Sequence, residues 1–415
     1  MNPLLVSGFG ISIHVNRRKL VVHDRLKDEK LEFYPHQIDH DSVIVDGHSG
    51  NITFEAIRWL MKHGINVALL NWNGSLLGAI LPKEPKSGKL RVNQYSKYLD
   101  GRSRYAIADE LVNQKIEHTL NLLRELSRYY PEIDVAKVEK IFEIEKRNSS
   151  LSKKTVSNLM NYEGRIATFY WDCLTKVFNR LYPNFHFKSR KNKSYSWNMN
   201  ASDEVNALLN YGYAILESEV RRAINAVGLD PSVGFLHELA ESKEPLVYDI
   251  QELFRWLIDL SVIQLLEEKK LKKPDFIVTE NYHIRLKEST AKALIEKITI
   301  SFNKKVSYKR NRSYSYQSIL FDSVQQLANF IIEKNKNVQT LFFIPKFNIE
   351  RSDAFALRQK ILEMSPAERK KVGINKSTIW YMKKNIEAGK SIKIYDKVYQ
   401  QLSPLAKVAK AKQRD

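Results

Sequence analysis

The sequence predicts an α+β protein: a small β-rich N-terminal domain, a larger all-helical domain and a C-terminal helix-turn-helix. Three observations predict it. Short β-branched runs separated by turn residues fill residues 1–81. Apolar spacings of three and four dominate from residue 102 to 334. From residue 346 to the end the chain is strongly basic, with 17 Lys+Arg against 7 Asp+Glu, so this segment carries +10 of the total net charge of +20.

The β-rich domain is expected over residues 1–85. Segments near 3–7, 10–16, 18–23, 30–34 and 42–46 alternate apolar and polar residues and read as strands. "TFEAIRWLMKH" (53–63) reads as one helix, closed by Gly64. In "INVALLNWNGSLLGAIL" (65–81) the dipeptide Asn73-Gly74 separates two apolar runs and signals a hairpin. "PKEPKSGK" (82–89) has linker composition.

The helical domain is expected over 86–345. Ile107, Leu111, Ile116, Leu120, Leu123 and Leu126 mark one face of a helix over 102–130. Further helices are expected near 135–147, 152–181, 203–227, 246–271, 289–299 and 318–334, with a short hairpin in "PDFIVTENYHIRL" (274–286). In the basic domain, 346–415, three short helices are expected: 353–363, 366–371 with Ser365 as cap and Pro366 in its first turn, and 377–387. The "VGIN" turn between the last two makes the segment resemble a helix-turn-helix, whose recognition helix would carry Lys376, Lys383 and Lys384.

Charge and cysteine content narrow the function. A 415-residue chain with 43% hydrophobic residues buries a sizeable core, and a net +20 points to a polyanionic partner. Residues 304–312, "KKVSYKRNR", form a second basic run without an acid. The single cysteine, Cys173, excludes a disulfide framework and a cysteine-based zinc site. No stretch of eighteen apolar residues occurs and no signal peptide is evident, so the expectation is a soluble, cytoplasmic protein without a membrane partner.

The chemistry concentrates in "GFLHELAESKEPLVYDIQELF" (234–254). Asp249 and Glu252, three residues apart, share a face on a helix whose neighbouring residues Leu246, Ile250, Leu253 and Phe254 are apolar. Two carboxylates there repel and lose hydration unless a cation or proton joins them. His237 offers a nitrogen from a separate segment. Carboxylates with one imidazole suit Mg²⁺ or Mn²⁺; an acidic helix start beside an ordinary polar histidine is the plainer alternative. Glu163 lies in a helix otherwise lined by Met160, Ile166, Tyr170, Trp171 and Leu174. "FHFKSRKNKSYSWN" (185–198) mixes aromatics with Lys188, Arg190 and Lys191, a composition that binds DNA by charge and stacking or forms an exposed basic loop.

"NALLNYGYAILESEVRRAINAVGLDPSVGFLH" (206–237), followed by "PLVYDIQELF" (245–254), closely resembles the signature of the CRISPR adaptation integrases, the Cas-one family. "NYEG…YW" matches the family's glutamate motif, and the resemblance runs over roughly residues 1–340. It implies a divalent-metal site of Glu163, His237 and Glu252, with Asp249 as a nearby second acid of the catalytic group. It also implies a homodimer through the N-terminal domains and action on double-stranded DNA. The family pattern often has proline after Phe-Arg; here Trp256 stands there, a change expected to touch helix packing more than ligands.

Such a site would join a DNA 3′-OH end to a target phosphodiester, with no covalent enzyme intermediate. Family members that end soon after the helical domain work with a small partner in spacer acquisition. Casposases, encoded by mobile elements, commonly carry a C-terminal helix-turn-helix, which residues 346–415 resemble. The casposase reading is therefore expected, with a CRISPR spacer integrase as the alternative. A DNA-binding regulator with a vestigial metal site is the third possibility.

Overall fold

The computed structural model describes residues 1–415 except 25, 48, 86, 191–200, 202, 240, 242, 269–270, 280–283, 335–336, 348, 350–360 and 388–415. The chain divides into two compact units, Met1–Phe347 and Asn348–Asp415. The first is α+β.

It opens with two four-stranded sheets. β1 (Pro3–Val6), β5 (Ser42–Val45) and β7 (Asn66–Leu70) run parallel, and β8 (Leu76–Ile80) closes that sheet antiparallel to β7. β4 (Glu29–Phe33), β3 (Lys19–Asp24) and β2 (Ile11–Asn16) form an antiparallel meander, and β6 (Gly50–Ile52) joins β2 in parallel. Their inner faces bury Leu4, Val6, Ile13, Leu20, Val22, Val43 and Val67 with Ala56, Trp59 and Leu60 of α1 (Phe54–Lys62). The β2–β3 turn is two residues long, and Arg17 and Arg18 both take positive φ, 46° and 69°, which is the backbone a right-twisted hairpin demands. The Trp59 indole N–H donates to Arg18 O at 2.9 Å and holds that turn. The expected hairpin at Asn73-Gly74 forms, with Gly74 at φ 79°. β6 was not expected: three residues of "GNI" carry too little periodicity, and pairing with β2 defines the strand.

The helices follow: α2 (Gly88–Leu99), α3 (Gly101–Ser127), α4 (Val135–Leu151), α5 (Val156–Leu181), α6 (Glu204–Val227), α7 (Pro245–Glu252), α8 (Arg255–Glu268), α9 (Glu288–Asn303) and α10 (Tyr316–Ile331). α6 is buried on nearly every side and is the hub on which α7, α8, α9 and α10 pack. The sheets dock on it through Asn66 Nδ2, which donates to Ser218 Oγ at 3.3 Å, and through Asp46, which meets Tyr211 and Arg285. The expected short hairpin forms as β9 (Phe276–Val278) and β10 (Ile284–Leu286).

Three features depart from the sequence reading. α2 occupies part of the expected linker. The single helix expected over 246–271 breaks at Leu253–Phe254 into α7 and α8. The basic run 304–312 folds into a second hairpin of β11 (Lys305–Ser307) and β12 (Ser313–Ser315), with Tyr308 turned inward and stacked on Phe343, ring centroids 5.9 Å apart.

Three helices are tied at one buried point. Asp259 of α8 accepts from Tyr170 of α5 at 2.6 Å and from Tyr213 of α6 at 2.5 Å. Burial pushes the Asp259 carboxyl above the usual carboxylate range, the two hydroxyls and nearby arginines opposing it. Trp256, which follows Arg255 at the start of α8, stacks on Phe347 at 4.2 Å and on His118 at 5.3 Å.

The second unit contains α11 (Pro366–Val372), with a Ser365–Glu368 capping box, and α12 (Lys376–Glu387). They are joined through Gly373 at φ 72°. Among its described residues Ile349, Ile361, Met364, Ile374, Ile379 and Met382 are buried apolar residues. Most of the expected 353–363 helix lies outside the described residues.

Candidate active site

Glu163 sits beside the buried stripe of α5, made by Leu159, Tyr162, Ile166 and Tyr170, and so is half-buried. Glu252 is the last residue of α7, where the helix breaks, and is buried. Though 89 residues apart in sequence, both reach Lys115 of α3. Its Nζ lies 2.5 Å from Glu163 Oε1 and 2.6 Å from Glu252 Oε2. Arg255, at the start of α8, takes the other oxygen of Glu252: Nη1 donates to Oε1 at 2.6 Å. Burial alone would raise the Glu252 carboxyl, but Arg255 and Lys115 outweigh it and hold it down at about 2. Glu252 Oε2 is fully enclosed and meets Lys115 as an ion pair without a directed hydrogen bond.

His237 is held differently. The buried Asp249 carboxylate accepts from the backbone N–H of Phe235, Leu236 and His237, and from His237 Nδ1 at 2.7 Å. The loop carrying the histidine is thus folded around one carboxylate, which fixes the ring and assigns its proton to Nδ1. Burial lowers the imidazolium, but the Asp249 hydrogen bond and charge more than restore it, leaving its pKa above the ordinary value. Gly234 allows the close approach: a Cβ there would lie 2.7 Å from Asp249 Oδ2. Gln94 of α2, fully buried, donates to Asp230 O and Val233 O and braces the lead-in to the loop.

The expected trio is therefore brought together in part. Glu163 and Glu252 converge on one cation, and Asp249, which holds His237 of the preceding loop, belongs to the same helix as Glu252. Asp249 itself faces the loop, not Lys115. Among the described residues no group of three His, Cys, Asp or Glu side chains is arranged to hold a metal ion; Glu163 and Glu252 instead meet at the Lys115 ammonium. Lys115 and Arg255 were not foreseen. In sequence Lys115 is one lysine among the polar residues of a long helix, and only its partners distinguish it.

Of the expected DNA contacts, Lys188 is exposed, and Lys191 lies outside the described residues. Arg190 points inward: it donates to Asn206 Oδ1 at 2.7 Å and Asn210 Oδ1 at 2.6 Å, and its guanidinium lies 5.0 Å from the Tyr213 ring. That arrangement makes it an anchor for the basic segment, not a free phosphate contact. Lys376 and Lys384 are exposed, the latter 4.9 Å over the Trp380 ring. Lys383 is half-buried and donates to Met364 O at 3.2 Å.

Comparison with known proteins places the chain in a family. The sequence profile of "CRISPR associated protein Cas1" matches residues 4–299, and the chain belongs to that family. A CRISPR-associated endonuclease Cas1 of Archaeoglobus fulgidus is 27% identical over 340 residues, 79% of this chain and 96% of that protein. One from Francisella tularensis subsp. novicida is 30% identical over 280 residues, 66% of this chain and 81% of the relative. Among solved structures, a casposase bound to its integration product is 37% identical with a TM-score of 0.76, covering 88% of this chain and 99% of that one. A Cas1 protein from Thermotoga maritima, 18% identical at a TM-score of 0.65, shares the fold. No helix among the described residues is long and apolar enough to cross a membrane.

Proposed function

We propose that the protein is a metal-dependent DNA integrase of the casposase kind, joining 3′-OH ends of double-stranded DNA to target DNA by transesterification. The observation that carries this reading is the convergence of Glu163 and Glu252 on one cation, beside a histidine oriented by a buried aspartate. The residues fit a divalent ion: two carboxylates and one imidazole are an oxygen-rich donor set of the hardness Mg²⁺ or Mn²⁺ prefers. The enclosed Glu252 Oε2 has a charge beside it but no directed donor, and Nδ1 of His237 is engaged, which leaves Nε2 as the ring's ligand atom. When bound, the ion supplies charge neutralisation at the scissile phosphate and activation of the attacking hydroxyl.

The chain's own residues do the rest. Asp249 holds His237 in one tautomer and one orientation. Arg255 fixes the Glu252 carboxylate from the side away from Lys115, so its rotamer is set before substrate arrives. The second unit is the DNA-reading element, with Lys376 and Lys384 as phosphate contacts beside the exposed Trp380 and Tyr381 of α12. Support for the casposase reading over spacer acquisition comes from two facts. The likeness to the casposase extends over a larger share of the chain than Met1–Phe347 contains, and a basic unit follows Phe347. The active species is proposed to be a homodimer or higher homo-oligomer on DNA.

The test is an end-joining assay. The purified protein, Mn²⁺ or Mg²⁺, a labelled short duplex and a supercoiled plasmid are incubated without a second protein, and the junctions are sequenced. Both 3′ ends should insert a fixed distance apart on opposite strands. Strict dependence on an added small partner, with joining confined to a CRISPR leader and repeat, moves the function to spacer acquisition.

A further inference from the structure

Lys115 has a place in this site that the reaction chemistry does not require of it. Its ammonium touches both catalytic carboxylates, 2.5 Å from Glu163 Oε1 and 2.6 Å from Glu252 Oε2. A divalent ion binds such oxygens at roughly 2.0–2.2 Å, so it would take the same two carboxylate oxygens that Nζ now holds. The ammonium and the metal compete for them.

Charge points the same way. With Lys115 and Arg255 both engaged, two carboxylates already face two cations. Arg255 meets Glu252 at Oε1, not at the Oε2 that Lys115 holds, and its guanidinium lies 4.4 Å from the Tyr213 ring. Adding a divalent ion while Lys115 stays would put a net excess of positive charge in an enclosed site, where like charges are weakly screened. Lys115 has the means to leave: a flexible four-carbon stem carrying a point charge, with about a fifth of its side chain open to solvent. Outside the site, the anion brought by the substrate is phosphate.

We propose that Lys115 is a resident counter-ion that the divalent metal displaces from between Glu163 and Glu252, and that a DNA phosphate receives the displaced ammonium, so that metal and DNA bind cooperatively. The inference rests on the metal reading above. Without DNA, the metal competes with a covalently tethered cation. With DNA, the ammonium has an alternative partner and the competition falls. By linkage, metal raises DNA affinity by the same factor. A metal-free enzyme is thereby kept folded without two unbalanced carboxylates, and the metal is loaded when substrate is in place. Lys115 is a positioning residue: it acts on the ion's affinity.

The experiment measures Mn²⁺ affinity of the full-length protein, from the electron paramagnetic resonance signal of free Mn²⁺, with and without a short DNA duplex, after subtracting Mn²⁺ bound by the duplex alone. For the wild-type protein, DNA should tighten the Glu252-dependent site about tenfold, within the usual range of coupling between sites. In Lys115→Met, DNA-free affinity should rise by about the same factor and the effect of DNA should fall below about twofold, because the competitor is gone. Lys115→Arg, which keeps the charge, should restore weak DNA-free binding. Equal wild-type affinity with and without DNA overturns the proposal, and this measurement needs no variant to fold. Lys115→Met binding Mn²⁺ no tighter than the wild-type protein also overturns it, while leaving the metal site standing. No Mn²⁺ site lost in Glu252→Gln overturns the metal reading and this inference together.

Discussion

The Asp249 carboxylate grips His237 twice: its Oδ1 accepts from the backbone N–H at 3.0 Å and from the ring Nδ1 at 2.7 Å. With Phe235 and Leu236 also donating, four N–H groups depend on one buried side chain. Asp249→Ala should therefore destabilise the protein by about 3 kcal/mol, the cost of leaving buried donors unpaired. Asp249→Asn should recover only part of that, since its amide NH₂ faces donors. Thermal melting checks both, and strand transfer should fall in each because the histidine loses its orientation. Wild-type stability in Asp249→Ala would show that the loop holds itself.

Glu163→Gln, His237→Ala and Glu252→Gln should each abolish strand transfer while leaving affinity for a short duplex, measured without metal, within about twofold, since each removes a proposed metal ligand and not a phosphate contact. Glu252→Gln should in addition lower stability by roughly 3 kcal/mol, because it leaves the Arg255 and Lys115 charges short of their shared partner. A gel-based joining assay beside a binding titration separates chemistry from binding. Near wild-type joining by Glu252→Gln would remove it from the site.

Acid should destabilise the first unit through His118. Its Nε2 faces Ile344 O at 3.1 Å, while Nδ1 is buried without a partner. Burial pushes the imidazole down to about 4 from its ordinary 6.5. Because the folded value is depressed, the unfolded chain takes up the proton first. Stability is fully present above pH 6.5 and is lost as pH falls toward 4, by on the order of 3 kcal/mol from this group. His118→Phe, which keeps a ring against Trp256, should flatten the melting temperature between pH 6.5 and 4 relative to the wild-type protein. Parallel pH profiles would locate the acid sensitivity elsewhere.

Truncation after Phe347 should weaken DNA binding and make its salt dependence shallower, as fewer phosphates are neutralised. Joining on a preformed branched substrate should survive. Ending the chain two residues earlier is expected to behave worse, because Phe347 stacks on Trp256 and its carbonyl accepts from Asn121. Loss of all activity on the branched substrate by the protein ending at Phe347 would make the basic unit part of the catalytic fold.

The sequence disclosed what depends on local pattern. The strand runs of the first sheets, the Asn73-Gly74 hairpin and the long amphipathic stripe of α5 all follow from period and turn chemistry. α2 was illegible for a specific reason. Its anchor is Gln94, a buried polar side chain bonded to the backbone of a distant loop, and its Leu99, Val92 and Tyr95 are exposed. Hydrophobic patterning has nothing to detect there. The break between α7 and α8 was missed because no glycine or proline marks it; the Trp256 indole donates to Leu253 O at 3.1 Å, and Arg255 is drawn back to Glu252. The acids and the histidine were visible as residue types in an apolar setting. Lys115 was not, because what distinguishes it is the meeting of three segments far apart in the chain.

The Tyr170–Asp259–Tyr213 junction bears on how this site can move. It bolts α5, which carries Glu163, to α6 and α8, and Glu252 is clamped to the first residue of α8 by Arg255. The two carboxylates are thus mounted on a frame whose struts cannot slide past one another without breaking buried bonds to a single side chain. Their spacing is set by the scaffold, so the exchange proposed for Lys115 needs only that side chain to turn about its own bonds, over fractions of the time that a shift of whole helices takes.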